Sequence, residues 1–373
     1  MHTPTAMPDL SYCKVTARTP NIQGGKGIGI SGARLAAAVA NEGGVGVISA
    51  ICLGMQTPEA RSDYAQANKN ALIEEIRTAR RNTSGVLGVN IMIACTDFDS
   101  LILGAIEEEV DIIFLGAGLP LQFPKELTAQ RMRTMHSQLV PIVSSAKAAK
   151  TLLKYWSKRF NHIPDGFVVE GPKAGGHLGF KPEQIEDPAF ALHRLVPEVV
   201  EAVRPYAQQF DKPLPVIAAG GIYTGRDIAD FFALGASGVQ MGTRFVATHE
   251  CDADHAFKEA FVQAQKKDLT IIQSPVGLPG RAINNTFLQE VADGHKKPFA
   301  CPWHCLRTCD YTQSPYCIAK ALNQARAGRL QHGFAFAGAN AWRVTEIISV
   351  HELMHSLAQE YLEAVSPSEV LMA

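Results

Sequence analysis

The sequence predicts an α/β fold, a TIM (β/α)8 barrel with a C-terminal extension packing over or beside the barrel. Three observations lead there. Eight short apolar runs recur, each ending in glycine, serine or a polar residue. Segments of helical character lie between them. The 373 residues are enough for one large barrel with an extension. Near-continuous apolar strands alternating with helices indicate a parallel sheet covered on both faces, and eight such units indicate closure. An open doubly wound sheet is the competing architecture. The barrel is expected over 1–275 and the extension over 276–373.

In chain order the runs are "NIQGGKG" (21–27), "GVGVISA" (44–50), "LGVNIMI" (87–93), "DIIFLGAG" (111–118), "VPIVSS" (140–145), "GFVVEG" (166–171), "PVIAAGG" (215–221) and "GVQMGTR" (238–244). Of the intervening segments, "SGARLAAAVANEGG" offers Ser31 as a helix cap and closing glycines. "NKNALIEEIRTARRN" puts Leu72, Ile73 and Ile76 on one face. "TGRDIADFFALGA" begins with Thr224 as cap and ends at Gly235.

Function in such a barrel sits at the C-terminal ends of the strands. The residues there are Gly24, Gly25, Asn90, Gly116 to Gly118, Ser144, Ser145, Glu170 to His177, Gly220, Gly221, Gly242 and Thr243. Glycine dominates and carboxylate clusters are absent. This suits a flat or phosphorylated ligand held by backbone N–H groups, and suits a hard cation poorly. The net charge of -1 gives no electrostatic case for nucleic acid or an anionic membrane. The N-terminus lacks the pattern of a secretory signal, and no stretch is apolar enough to span a bilayer. A cytoplasmic protein, with a homo-oligomer in reach of its low charge content of 19%, is the expectation.

Two consecutive strands, the seventh and eighth, end in Gly220-Gly221 and Gly242-Thr243. Barrel phosphate sites commonly use the loops after these strands. Together "EGPKAGGHLG", "PVIAAGGI" and "GVQMGTRF" resemble the nitronate monooxygenase (2-nitropropane dioxygenase) family, which includes FMN-dependent enoyl-acyl-carrier-protein reductases. The resemblance covers roughly 20–265. It implies a barrel that binds FMN non-covalently. Asn90, Gly175 and Gly176 would approach the flavin, with Gly24 in the first glycine-rich loop. Gly220, Gly221, Gln240, Met241, Gly242 and Thr243 would hold the phosphate and adjoining flavin. His177 matches the family histidine that serves as catalytic base. Pro172 and Lys173 depart from the pattern expected before Ala174, which leaves substrate choice open.

Several segments lie outside that reading. "GIGISG" (27–32) matches G-x-G-x-x-G, but no acidic residue ends the next strand as a dinucleotide site requires. "HELMH" (351–355) matches H-E-x-x-H inside what reads as an amphipathic packing helix. Cys301, Cys305, Cys309 and Cys317 are numerous enough for an iron–sulfur cluster or zinc, although their spacing does not force convergence. Ordinary residues of a packed tail is the favoured reading, and no metal ligand is assigned. "GLPGRAINNTFLQEV" (277–291) and "GFAFAGANAWRV" (333–344) are candidates to return over the active site.

The functional expectation is an FMN-dependent oxidoreductase acting on small-molecule nitronates or nitroalkanes. An NAD(P)H-dependent enoyl or quinone reductase using FMN is the first alternative. A flavin-free phosphate-sugar isomerase or lyase on the same fold is the second. A non-catalytic flavin-binding protein is the third.

Overall fold

A computed structural model describes residues 6–295 and 301–366. Its central sheet holds eight strands, all parallel to their neighbours: β1 Asn21–Gln23, β2 Gly46–Ser49, β3 Leu87–Met92, β4 Ile112–Gly116, β5 Gln138–Val143, β6 Phe167–Glu170, β7 Val216–Ala219 and β8 Gly238–Met241. Seven of the eight apolar runs contain their strand whole, and β5 begins two residues before the run at 140–145. The spatial order is β1-β8-β7-β6-β5-β4-β3-β2. Closure comes from a parallel bridge between Ile22 and Val45. There Gln23 N donates to Val45 O at 3.0 Å and Val45 N to Asn21 O at 2.9 Å. These bonds decide for the barrel over the open sheet.

The helices are α1 Ala33–Asn41, α2 Tyr64–Asn82, α3 Phe98–Glu107, α4 Ala129–Thr134, α5 Ala146–Phe160, α6 Leu192–Gln209, α7 Gly225–Ala233 and α8 Thr243–Val246. Strand residues alternate between two cores, as the period of two requires. Ile22, Val47, Ile112, Phe114, Val168 and Ile217 fill the interior. Val89, Ile113, Leu115, Val169, Ala218 and Val239 pack outward against the helices.

Thr224 caps α7 in a capping box with Asp227, as its position before the apolar face predicts. Ser31 behaves differently. The N-cap of α1 is Gly32, without a side-chain cap bond. Ser31 Oγ instead accepts from Gln23 Nε2 and from Lys26 N, both at 2.9 Å, and so ties down the first loop.

The N-terminal ends of the strands are plugged by a small hairpin, Leu10–Ser11 against Thr16–Ala17. Leu10 and Tyr12 join the interior core beside Gly238 and Gly166. After β8 the chain continues through α9 His255–Val262 into an antiparallel ribbon, Leu269–Gln273 with Pro279–Ile283. Position 275 lies in the turn of that ribbon. Then come α10 Thr286–Ala292, α11 Ile318–Arg326 and α12 Val350–Val365. Helix α12 has a Ser349–Glu352 capping box and buries Val350, Leu353, Met354, Leu357 and Tyr361. It packs so closely on α7 that a Cβ at Gly225 would stand 2.3 Å from Leu357 O. Its His351 and His355 are exposed, and His351 bonds Glu42 at 3.1 Å, so "HELMH" is a packing helix. Among the described residues no helix is long and apolar enough to cross a membrane.

Candidate active site

A cavity of about 760 Å³ opens at the C-terminal ends of the strands, within the size range of cofactor and ligand sites. Strand register sets its floor. Ala219 pairs with Glu170 on one side and Gln240 on the other. All three therefore sit at one level and face inward, with two polar side chains flanking a small one. Asn90 joins them from β3, where Gly25 allows the first loop to approach. A Cβ at Gly25 would stand 2.7 Å from that of Asn90.

The loop after β6 forms one wall. Gly176 has φ +85°, and a Cβ there would meet nothing within 4 Å, so it borders open cavity. Gly175 has another role. A Cβ there would stand 2.5 Å from Ala337 C and 2.6 Å from Gly338 N, so its bareness admits the C-terminal segment. Residues Gly176–His177 form a short strand against Gly280 and Arg281 of the ribbon. The imidazole of His177 shares a 2.7 Å hydrogen bond, through Nε2, with Ser274 Oγ. Its ring meets Phe336 edge-on, with centroids 5.1 Å apart. Burial lowers the His177 pKa to about 4, because desolvation disfavours the charged ring. His177 is thus neutral at pH 7.

Glu170 faces the same cavity with its pKa raised to about 7 by burial alone. Lys26 also lines it, lowered to about 8 mainly by burial. Arg281 is buried, and its Nη1 donates to Pro172 O and, at 3.0 Å, to Ala174 O. It fixes the loop that carries the glycines. Ser274, Lys26 and Arg281 escape a reading based on motifs, since their partners lie 97 to 310 residues away. A glycine-rich loop ending on a lone lysine was the only local signal for Lys26.

Of the residues expected at the cofactor, Asn90, Gly175, Gly176 and Gln240 line the cavity with His177. Gly24, Gly220, Gly221, Met241, Gly242 and Thr243 are not in its wall. They lie at the ends of β1, β7 and β8. Gly220 and Gly221 have φ +94° and +95°. Met241 is buried in the outer core, and its carbonyl accepts from Gly24 N at 2.8 Å. The segment containing "GFAFAGANAWRV" crosses this end. Gly338 N donates to Thr243 Oγ1 at 3.1 Å, and Asn340 Nδ2 to Gly221 O at 2.6 Å. Both segments expected to return over the site do so, with Leu278 and Phe336 in the cavity wall.

The iron–sulfur or zinc option is not supported. Among the described residues no group of three or more His, Cys, Asp or Glu is placed to hold a metal. Three of the four sulfurs have partners of their own. Cys301 accepts from His304 N at 3.3 Å, Cys317 accepts from Lys320 N at 3.4 Å to cap α11, and Cys305 meets Cys52. Nor is "GIGISG" a dinucleotide site. The N-terminus of α1 is filled by carboxylates, with Gly32 N and Leu35 N donating to Asp252 and Ala33 N to Glu75. Gly27 is bare because a Cβ there would stand 2.4 Å from Ile51 Cγ2.

Comparison with known proteins agrees with this arrangement. A model of the nitronate monooxygenase family matches residues 11–100 and 67–360. A probable nitronate monooxygenase of Staphylococcus aureus is 28% identical over 299 residues, covering 73% of this chain and 77% of its own length. A (3aS,4S,5R,7aS)-5-hydroxy-7a-methyl-1-oxo-octahydro-1H-indene-4-carboxyl-CoA dehydrogenase of Rhodococcus jostii is 28% identical over 277 residues, covering 74% of this chain but 66% of its own length. Among solved structures, FabK from Thermotoga maritima superimposes with TM-score 0.72 at 28% identity, covering 94% of both chains. Nitroalkane oxidase from Streptomyces ansochromogenes, 24% identical with TM-score 0.70 over 93% of this chain and 97% of its own, shares the fold. The chain belongs to the nitronate monooxygenase family.

Proposed function

We propose that the chain is an FMN-dependent oxidoreductase that oxidises nitroalkanes and nitronates, with His177 as the base. The observation that carries this reading is the position of His177. A neutral imidazole, anchored by Ser274, stands next to a glycine with open space before it in a family barrel. The residues fit a flavin. The cavity is large enough, the bare Gly176 leaves room for a flat group, and Asn90 and Gln240 offer amides to its edge. Gly220, Gly221, Gly242 and Thr243 would hold the phosphate end. Bound there, FMN would take up the substrate's electron pair and be reoxidised by oxygen.

The chain's own part is proton transfer, positioning and exclusion of water. His177 would accept the carbon-bound proton of a neutral nitroalkane, its ring held in place by Ser274 and Phe336. Leu278 and Phe336 line the cavity and would shield a bound flavin from water. Its low pKa keeps the base form present throughout the neutral range.

The similarity to a carboxyl-CoA dehydrogenase favours one second reading, an NAD(P)H-dependent reductase of enoyl or related substrates on the same flavin. The test is to purify the protein, record its visible spectrum, and mix it anaerobically with a nitronate, NADH or NADPH. Bleaching of the flavin by the nitronate supports the first reading. Bleaching by a nicotinamide alone moves the function to the second. A colourless protein that takes up no added FMN sinks both and returns the flavin-free isomerase or lyase.

A further inference from the structure

We propose that Lys26 supplies the positive charge that holds the FMN phosphate, at the end of the cavity where β1 meets β8. The inference rests on the FMN reading above. Its starting point is a half-buried charge at the cavity wall without a carboxylate partner among the described residues. Lys26 Nζ donates to Phe336 O at 2.9 Å and stands 5.0 Å from the centroid of the Phe261 ring. Among the described residues it forms no ion pair with Asp or Glu. The ionisable group that acts on it is Cys251, whose thiol is pushed up by burial and so stays neutral. An ammonium has three donors, and one carbonyl leaves two for another partner. Enclosing an ammonium without an anion is costly. A ligand that brings the anion removes that cost.

The position of the side chain says which part of the ligand it meets. Lys26 borders the cavity. Its stem runs along Gly242, where a Cβ would stand 3.2 Å from Lys26 Cε and meet nothing else within 4 Å. Thr243 follows Gly242 in the chain, and its Oγ1 accepts from Gly338 N at 3.1 Å. This is the end of the eighth strand, where barrel phosphate sites lie. The loop that presents the lysine is fixed from both sides of the residue. Lys26 N donates to Ser31 Oγ at 2.9 Å, and Ser31 N donates to Lys26 O at 3.1 Å. The pKa of about 8 leaves the group charged at neutral pH.

The experiment titrates the flavin-stripped full-length protein with FMN and with riboflavin, which lacks the phosphate, and follows flavin fluorescence. Lys26→Met should weaken FMN binding roughly 10–100-fold, the scale of a charge-assisted hydrogen bond, and leave riboflavin binding unchanged. Lys26→Arg should retain most of the FMN affinity. The stripped Lys26→Met protein should melt no lower than stripped wild type, because the change removes an unpaired enclosed charge. Equal losses for both flavins would show that the lysine serves the ring or the fold, and no loss for either would place the phosphate elsewhere. Both outcomes overturn the inference. Wild type that binds neither flavin removes the FMN reading itself, and this inference with it.

Discussion

His177 and Lys26 border the same cavity, and burial shifts both in the same direction, toward the neutral form. They end in opposite states. The imidazole falls to about 4 and is neutral at pH 7, whereas the ammonium falls only to about 8 and keeps its charge. Desolvation acts alike on the two cations; their starting values separate them. One enclosure therefore supplies an uncharged proton acceptor at the ribbon end and a fixed cation at the β8 end. The proposed flavin chemistry would use both, the first to take a proton from carbon and the second to hold a phosphate.

The largest expected effect lies at the neutral end. His177→Asn should keep flavin bound and lower turnover of a neutral nitroalkane roughly 10²–10⁴-fold. Turnover of the preformed nitronate, which needs no deprotonation, should fall less. Equal losses on the two substrates would leave His177 as a packing residue and break the comparison.

The cationic end can be tested by supplying an internal anion. Gly242→Asp places a carboxylate where only the flexible end of Lys26 is within 4 Å, so the chain can accept it with a small adjustment. It should pair with Lys26, raise the melting temperature of the flavin-free protein, and weaken FMN binding about 100-fold by competition and repulsion. Gly221→Asp is less clean. Its φ of +95° and a 2.9 Å approach to Lys173 Cβ strain the fold as well. A Gly242→Asp protein with wild-type FMN affinity would separate Lys26 from the phosphate.

Arg281 supports the neutral end through the backbone. Arg281→Met leaves Pro172 O and Ala174 O without their buried donor and should cost about 1–3 kcal/mol of stability. Part is offset because a desolvated guanidinium is removed with them. Chemical denaturation with the flavin present checks it; an unchanged midpoint would mean that water replaces the donor. Ser274→Ala is a smaller change. It frees the ring of His177 to rotate, so nitroalkane turnover should fall by about tenfold or less, with nitronate turnover held. If both fall together, Ser274 acts on the flavin or the ribbon.

These contacts explain what the sequence could and could not reveal. The barrel was legible because its strands are buried on both faces and read as unbroken apolar runs, such as Leu87 to Met92. The Thr224 cap and the apolar face of α12 were legible because capping and helical period are local. His177 and its glycines showed through a resemblance within one loop. Lys26, Ser274 and Arg281 did not, because each acquires its meaning from chain far away. The N-terminal plug was hidden because two-residue strands carry no period. The number of clustered cysteines raised a metal as an option that their spacing did not favour, and in space Cys305 turns to Cys52 while Cys317 caps α11.

A pH-dependent effect comes from Glu170, which sharpens the comparison because it is an acid in the same cavity. Burial raises its pKa to about 7, so the folded protein holds a proton that the unfolded chain releases near its ordinary value of about 4.3. The sign follows from linkage. The folded state binds more protons across that window, so this group's contribution is fully present below about 4.3 and is lost as pH rises through 7. His177 has the reverse slope. Its buried neutral ring favours the folded state above about 6.5, and that contribution is lost as pH falls toward 4. Glu170→Gln removes one slope and leaves the other. The flavin-free variant should therefore gain melting temperature over wild type at pH 8 and gain less at pH 5. His177→Asn should instead gain most at pH 5. Melting curves of both variants at the two pH values check this. If the Glu170→Gln gap is the same at pH 5 and pH 8, water enters the cavity floor and the carboxyl titrates as it does in solution.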